Sequence, residues 1–124
     1  MRQESVQYFT DKEEEFANLL VTTGTKKNVA KVLVYFTRTP EATSKDIERG
    51  TDLRQPEVSS AMKYLVERGW FKSRESSVET KGRPMKAYEM VKSIREIMDA
   101  IEKEKKKEAN DQLALVKKMR DFLG

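Results

Sequence analysis

The sequence contains no cysteine and no histidine. Disulfides, thiolate and imidazole metal sites, and catalysis by cysteine or histidine are therefore excluded, and only a carboxylate site stays open. The sequence also lacks a pairing of nucleophile and base, a phosphate-binding loop and a cluster of metal ligands. We therefore expect a protein that is not an enzyme and that needs no cofactor.

Long apolar runs are missing as well. No segment approaches the roughly 20 apolar residues that a membrane-spanning helix requires. The N-terminal residues MRQESVQYFT lack the apolar core of a signal peptide. We therefore expect a cytoplasmic protein with no membrane contact.

Charge is abundant, at 37% of the residues, and the net charge is +4. The basic excess lies in the middle, where residues 25–91 hold 14 basic and 9 acidic side chains. A mildly basic segment fits nucleic-acid binding, but many ordinary domains carry one. A chain of 124 residues fits one domain with an appended helix, and its core stays modest unless a second copy shares it.

Two helices are predicted before Pro40. Thr10 or Asp11 caps the first, Gly24 ends it, and its apolar face is formed by Phe16, Leu19 and Leu20. We expect residues 1–24 to serve in packing or in a dimer contact. The second has helical spacing of Val29, Val32, Leu33 and Phe36, although the run VLVYF also fits a buried strand. We favour the helix.

Two further helices meet across a short turn. Thr43 caps the segment SKDIER, with Asp46 three residues on, and Gly50 is predicted to be the left-handed residue that closes it. Pro56 suits the first position of the next helix, PEVSSAMKYLVER, which runs to Gly69.

The two faces of this second helix differ in kind. Its apolar stripe consists of Val58, Ala61, Met62, Leu65 and Val66. A helix that enters the major groove needs small residues for close approach and hydrogen-bonding groups near its N-terminus. The opposite face provides these with Arg54, Gln55, Glu57, Ser59, Ser60 and Lys63. The same pattern also fits the solvated face of an amphipathic helix.

A hairpin is predicted next. Residues 70–74 and 85–90 are typical of strands, and residues 76–84 of a polar loop. The loop contains Lys81, Gly82, Arg83 and Pro84, so its tip can place two cations against a phosphate backbone.

Taken in order, the stretch from Thr43 to Met90 resembles the winged helix-turn-helix domain of prokaryotic and archaeal regulators of the MarR, TrmB and ArsR type. Ile47 and Leu53 occupy the apolar positions around the turn. The opening QPEVS, the continuation LVERGW and the wing tip KGRP followed by Tyr88 carry the rest of the resemblance, which covers residues 26–91. It implies a mainly α fold with a small β-hairpin wing, the winged domain being residues 25–91.

The resemblance also implies which residues contact DNA. Ser44 and Lys45 would touch phosphate, the segment from Arg54 through Pro56 to Lys63 would lie along the major groove, and the wing would use Lys81, Gly82, Arg83 and Lys86. Glu57 departs from the common pattern. It can accept a hydrogen bond from a cytosine amino group or stabilise its own helix N-terminus, and we favour the second interpretation.

Residues 92–124 are predicted to form a long dimerisation helix. Ser93 and Glu96 form a capping box, and nothing breaks a helix from Ile94 to Leu123. Two apolar patches are separated by the charged run EKEKKKEANDQ, which we interpret as a solvated face. The predicted dimer residues are Ile94, Ile97, Met98 and Ile101 in the first patch and Leu113, Val116, Met119, Phe122 and Leu123 in the second. The alternative is a helical hairpin within one chain, bent at Ala109–Asp111.

The function that follows is sequence-specific binding of double-stranded DNA by a homodimer that regulates transcription. The alternative is a winged-helix module that binds a protein partner in a transcription or chromatin assembly, with little DNA affinity of its own. No residue identifies a small-molecule effector.

Overall fold

A computed structural model describes residues 8–80 and 83–124, with the backbone alone for residues 76–80, 83 and 84. The chain divides into two compact units, Met1–Lys92 and Ser93–Gly124. The first unit contains four helices and three strands among its described residues. They are α1 (Asp11–Thr22), α2 (Lys27–Tyr35), β1 (Glu41–Thr43), α3 (Ser44–Thr51), α4 (Gln55–Glu67), β2 (Phe71–Thr80) and β3 (Arg83–Met90).

Helix α1 begins as predicted, with a different buried face. The Thr10 hydroxyl accepts a hydrogen bond from the backbone N–H of Glu13, and the Glu13 carboxylate accepts one from the N–H of Thr10. Ala17 and Leu20 are buried, but Leu19 is 58% exposed. The expected face that included Leu19 was therefore wrong, because the helix packs on α2 along the stripe of residues 17 and 20.

Helix α2 is the centre of the core. Val29, Val32, Leu33 and Phe36 are all buried, which confirms the helix and excludes the strand. The ring of Phe36 packs edge-on against Phe71 of β2, with the ring centroids 4.7 Å apart. This contact joins the sheet to the helices.

The strands form one antiparallel sheet in the order β1-β3-β2. Strand β1 was not predicted, since three residues are too few to show an alternating pattern. The predicted loop 76–84 is largely strand, because β2 continues to Thr80 and β3 begins at Arg83. Backbone pairing across the hairpin, with a register shift between Glu75 and Glu79, extends the ladder through polar residues. The mainly α fold with a small wing is nonetheless confirmed.

The turn between α3 and α4 differs from the prediction at two positions. Gly50 lies inside α3, and the left-handed residue is Asp52, with φ 57°. A Cβ at Gly50 would collide with the Cδ1 and Cε1 atoms of Tyr35, so the glycine is required by packing and not by its backbone angles. Pro56 occupies the second helical position, because α4 starts at Gln55.

Arg38 connects the chain after α2 to the start of α1. Its Nε and Nη2 atoms donate to Oε2 and Oε1 of Glu13 at 3.0 and 2.9 Å. Nη2 also donates to the backbone oxygen of Tyr8. The hydrogen bonds from Arg38 lower the pKa of Glu13 from 4.5 to about 2.

We predict an acid-labile contribution to stability from this pair. Because the pKa of Glu13 is lower in the folded protein than in the unfolded one, the contribution is complete above pH 4.5 and is lost as the pH falls toward 2. After allowance for the partial exposure of both side chains, we expect about 1 kcal/mol. Urea unfolding at pH 7 and pH 2.5 measures it. Glu13→Gln should remove this part of the pH dependence of the free energy of unfolding. The control is Glu15→Gln at an exposed position of α1, which should leave it unchanged. Equal pH dependence in wild type and Glu13→Gln would contradict the assignment.

The second unit is a single helix, α5 (Ile94–Asp121), of 28 residues. The predicted capping box is present, since Ser93 and Glu96 exchange hydrogen bonds of 2.8 and 3.1 Å. The helix is continuous through Ala109–Asp111, so the alternative of a helical hairpin was wrong. Within the described residues, no helix combines the length and the apolar character needed to cross a membrane.

Candidate nucleic-acid interface

Helix α3 begins at a fixed position. The Thr43 hydroxyl accepts from the N–H of Asp46, and the Asp46 carboxylate accepts from the N–H of Thr43, both at 3.1 Å. This capping box places Ser44 and Lys45 in the first helical turn. Ser44 is half-buried and Lys45 is exposed, so the lysine is the more accessible of the two predicted phosphate contacts.

The orientation of α4 is determined by its buried side. Val58, Ala61, Met62 and Leu65 are buried and Val66 is half-buried, which confirms the predicted apolar stripe. The helix packs against α2, α3 and β2 through these residues. Protein interiors are closely packed, so the buried side chains of α4 prevent the helix from rotating about its axis. The opposite face of α4 is therefore held in one direction.

That opposite face is open to solvent along its length. The predicted contact residues that are exposed there are Arg54, Gln55, Pro56, Ser59, Ser60 and Lys63. Ser59 and Ser60 are the short side chains in the middle of this face, and Lys63 lies one turn beyond them. Because these side chains are short, a second surface can approach the helix closely, and the polar groups on the face can form hydrogen bonds with it.

Glu57 already has a partner in its own helix. Its Oε1 accepts a hydrogen bond from the backbone N–H of Arg54 at 2.9 Å, and the residue is half-buried. A carboxylate in the first turn also interacts favourably with the helix dipole. The structure thus favours the capping interpretation over a contact with cytosine.

Several basic side chains of the candidate interface have no acidic partner in the part of the chain that the structure describes. Lys45, Arg54, Lys63 and Lys86 form no ion pair with any described residue. By contrast, Arg74 on β2 pairs with Glu41 at 3.0 Å. Unpaired cations on exposed side chains are free to bind an anionic ligand.

The wing is described in part. Lys86 is exposed on β3, where its Cα lies opposite that of Glu75 on β2. Lys81 and Gly82 lie outside the described residues. Arg83 begins β3, and its side chain is likewise outside the description. The predicted contacts of the wing tip therefore stay predictions.

One part of the exposed face lies outside the predicted contact set. Tyr64 is 41% exposed, and the Arg68 guanidinium lies 5.8 Å from the centre of its ring and 4.3 Å from that of Trp70. The spacing of Ser60, Tyr64 and Arg68 at i, i+4 and i+8 places them in one row of the helix, which could have indicated this extension. The accessible side of α4 is therefore wider than the predicted contact set.

The predicted dimer residues of α5 fall into two classes. Ile97 is fully buried, and Ile94, Met98 and Ile101 are half-buried. The residues of the second patch are all exposed, Phe122 by 85%. Leu115 is exposed in the same segment and belongs to this patch, whose exposed residues are Leu113, Leu115, Val116, Met119, Phe122 and Leu123. A second molecule can reach this end of the helix without any rearrangement.

The sequence matches no known family model and no curated protein. The structure is similar to that of TrmBL2, an archaeal chromatin protein described as showing a novel mode of DNA binding, with a TM-score of 0.68 and 13% identity. The match covers 90% of this chain and 40% of TrmBL2, so the chain spans less than half the length of that protein. The adhesin competence repressor AdcR from Streptococcus pyogenes matches with a TM-score of 0.49 and 16% identity, over 88% of this chain and 84% of AdcR. The order of elements, in which two helices joined by a short turn are followed by a β-hairpin, together with the similarity to TrmBL2, shows the winged helix-turn-helix fold.

Proposed function

We propose that this protein binds double-stranded DNA, with α4 in the major groove and the β2–β3 wing on the phosphate backbone, and that it regulates transcription as a homodimer. The observation that carries the proposal is the exposed face of α4. It presents Ser59 and Ser60 flanked by Arg54 and Lys63, neither of which has an acidic partner among the described residues. A helix of this kind meets base edges with its small residues and phosphates with its cations.

The homodimer is proposed from the second patch of α5. Six large apolar side chains are exposed within one short segment, an arrangement that a soluble protein covers with a partner. Proteins that read DNA through a helix-turn-helix use two half-sites about one helical turn, or about 34–36 Å, apart. Pairing of two copies would supply a second α4 helix for the second half-site.

Binding to a mixed-sequence DNA duplex tests the first proposal. Fluorescence anisotropy over a series of salt concentrations should show binding that tightens at low salt, because each phosphate contact releases condensed counterions. Lys63→Ala should reduce the slope of log K against log salt by about one. The matched control is Lys12→Ala on α1, which should leave the slope unchanged.

Absence of duplex binding at about 50 mM salt would contradict the proposal. The exposed face of α4 would then be a surface for a protein partner, which is the alternative that the sequence left open. Selection from a random DNA pool provides the complementary test. Sequence-specific binding by a homodimer predicts an inverted repeat with half-sites about 10 base pairs apart, centre to centre.

A further inference from the structure

Both apolar patches of α5 lie on one side of the helix. At 3.6 residues per turn, a single stripe with alternating spacings of four and three residues runs along the whole element. Its members are Ile94, Met98, Ile101, Lys105, Glu108, Gln112, Leu115, Met119 and Phe122. We call this stripe the α5 seam. It has the spacing of a two-stranded coiled coil, with a polar centre between apolar ends.

The exposed end of α5 is too small to hold a dimer alone. Stable interfaces use about 20–30 residues from each partner. The second patch offers six large apolar side chains. Pairing must therefore extend along the helix and include the polar centre of the α5 seam.

The polar centre distinguishes the two possible orientations. In a parallel pair in register, each seam residue faces its own copy, so Lys105 would face Lys105 and Glu108 would face Glu108. Both layers would then bring like charges together. In an antiparallel pair centred between residues 106 and 107, Lys105 of each chain faces Glu108 of the other. Both central layers become attractive.

We propose that two copies of this protein pair antiparallel along the α5 seam, in the register that places Lys105 opposite Glu108 of the second copy. This inference rests on the proposed homodimer. The Lys105 Nζ and Glu108 Oε1 atoms lie 3.2 Å apart within one chain, and both side chains are exposed. Each can therefore also contact the opposite charge of the second copy while α5 stays helical. Asp111, which flanks the seam, is already paired with Lys107 at 3.0 Å.

The same register matches the apolar ends. Met98 faces Leu115 of the second copy, and Ile94 faces Met119, so the half-buried first patch covers the exposed second patch. Ile101 faces Gln112 in a mixed layer. Ile97, which is buried, lies beside the seam and is not needed for the contact.

Spin labels measure the orientation directly, because the chain has no native cysteine. Lys117→Cys and Asn110→Cys, labelled one at a time, place the probe on the side of α5 away from the seam. In the antiparallel register the two labels of the Lys117→Cys dimer are offset by about 32 Å along the axis, and those of the Asn110→Cys dimer by about 11 Å. A parallel pair gives no offset at either position. We therefore expect a clearly longer distance at residue 117 than at residue 110.

Charge exchange supplies a second readout. In the antiparallel pair, Lys105→Glu and Glu108→Lys should each weaken dimerisation by about tenfold, because two symmetric attractions become repulsions. The double variant Lys105→Glu/Glu108→Lys restores both pairs and should dimerise like wild type. Circular dichroism checks that α5 stays helical in each variant.

The outcomes separate the two levels of the proposal. Equal label distances at residues 110 and 117 would overturn the antiparallel pairing while leaving the homodimer standing. A dimer that is insensitive to both single charge exchanges would overturn pairing through the α5 seam. A particle of 14.4 kDa by light scattering at about 100 μM, well above the Kd of a stable dimer, would overturn the homodimer itself.

Discussion

Ser60→Glu is expected to weaken duplex DNA binding about a hundredfold or more while leaving the fold intact. Ser60 is exposed in the middle of α4, one turn before Lys63. Its side chain forms no hydrogen bond with any described residue. Glutamate favours a helix at least as well as serine, so the free energy of unfolding should change little. At a DNA surface, however, the longer side chain prevents close approach, and its charge repels the phosphates.

Fluorescence anisotropy with the duplex, together with a thermal melt, separates the two effects. Asn18→Glu is the matched control, since it introduces the same side chain at an exposed position of α1. The control should bind DNA like wild type, apart from a small change in overall charge. If Ser60→Glu bound as tightly as the control, α4 would not be the element that approaches DNA.

Gly50→Ala is expected to destabilise the first unit (Met1–Lys92) by about 2–3 kcal/mol. The added Cβ would overlap the ring of Tyr35, and that ring is buried and packs edge-on against Phe36, with centroids 5.5 Å apart. In a helix, alanine is otherwise more favourable than glycine by about 1 kcal/mol. A loss of stability would therefore come from the collision with Tyr35 and not from the helix propensity of the new residue. Urea unfolding monitored by circular dichroism measures the difference.

The companion variant Tyr35→Val isolates the cause. Valine carries no atoms in the space that the tyrosine ring occupies, so Gly50→Ala should cost far less in that background, and the two changes should be strongly non-additive. Equal costs in both backgrounds would show that the ring is not what requires a glycine. Since Gly50 lies near the end of α3, five residues before the start of α4, a collision there should also disturb the orientation of the candidate DNA-binding helix.

Gly50 also shows where sequence reasoning was too local. A glycine near the end of a helical segment usually indicates a left-handed closing residue. Here Asp52 takes that conformation, which its short polar side chain permits. The glycine is required instead because the ring of Tyr35, 15 residues earlier in the chain, occupies the space that a Cβ would need. No pattern within the helix itself could reveal that contact.

The buried face of α1 and the length of the wing were missed for related reasons. Phe16, Leu19 and Leu20 fit helical spacing, but only the packing of α1 against α2 decides that Leu20 is buried and Leu19 exposed. The residues from Ser76 to Thr80 have the composition of a loop, but β2 continues through them to Glu79 and Thr80, which lie opposite Pro84 and Arg83 of β3. Partners distant in sequence leave little mark on local composition.

The sequence by itself determined what local chemistry controls. Capping boxes at Thr10, Thr43 and Ser93 start three helices because each uses side chains three residues apart, and the apolar stripe of α4 follows from the helical repeat. The order of elements, with a basic hairpin after two short helices, was enough to predict the winged fold. The cap of α4 by Glu57, also three residues from Arg54, was predicted in the same way. Only the tertiary structure decided that Lys45, Arg54 and Lys63 have no acidic partner among the described residues and that Gly50 makes room for Tyr35. Those facts depend on distances between atoms that the fold brings together, which no spacing along the chain specifies.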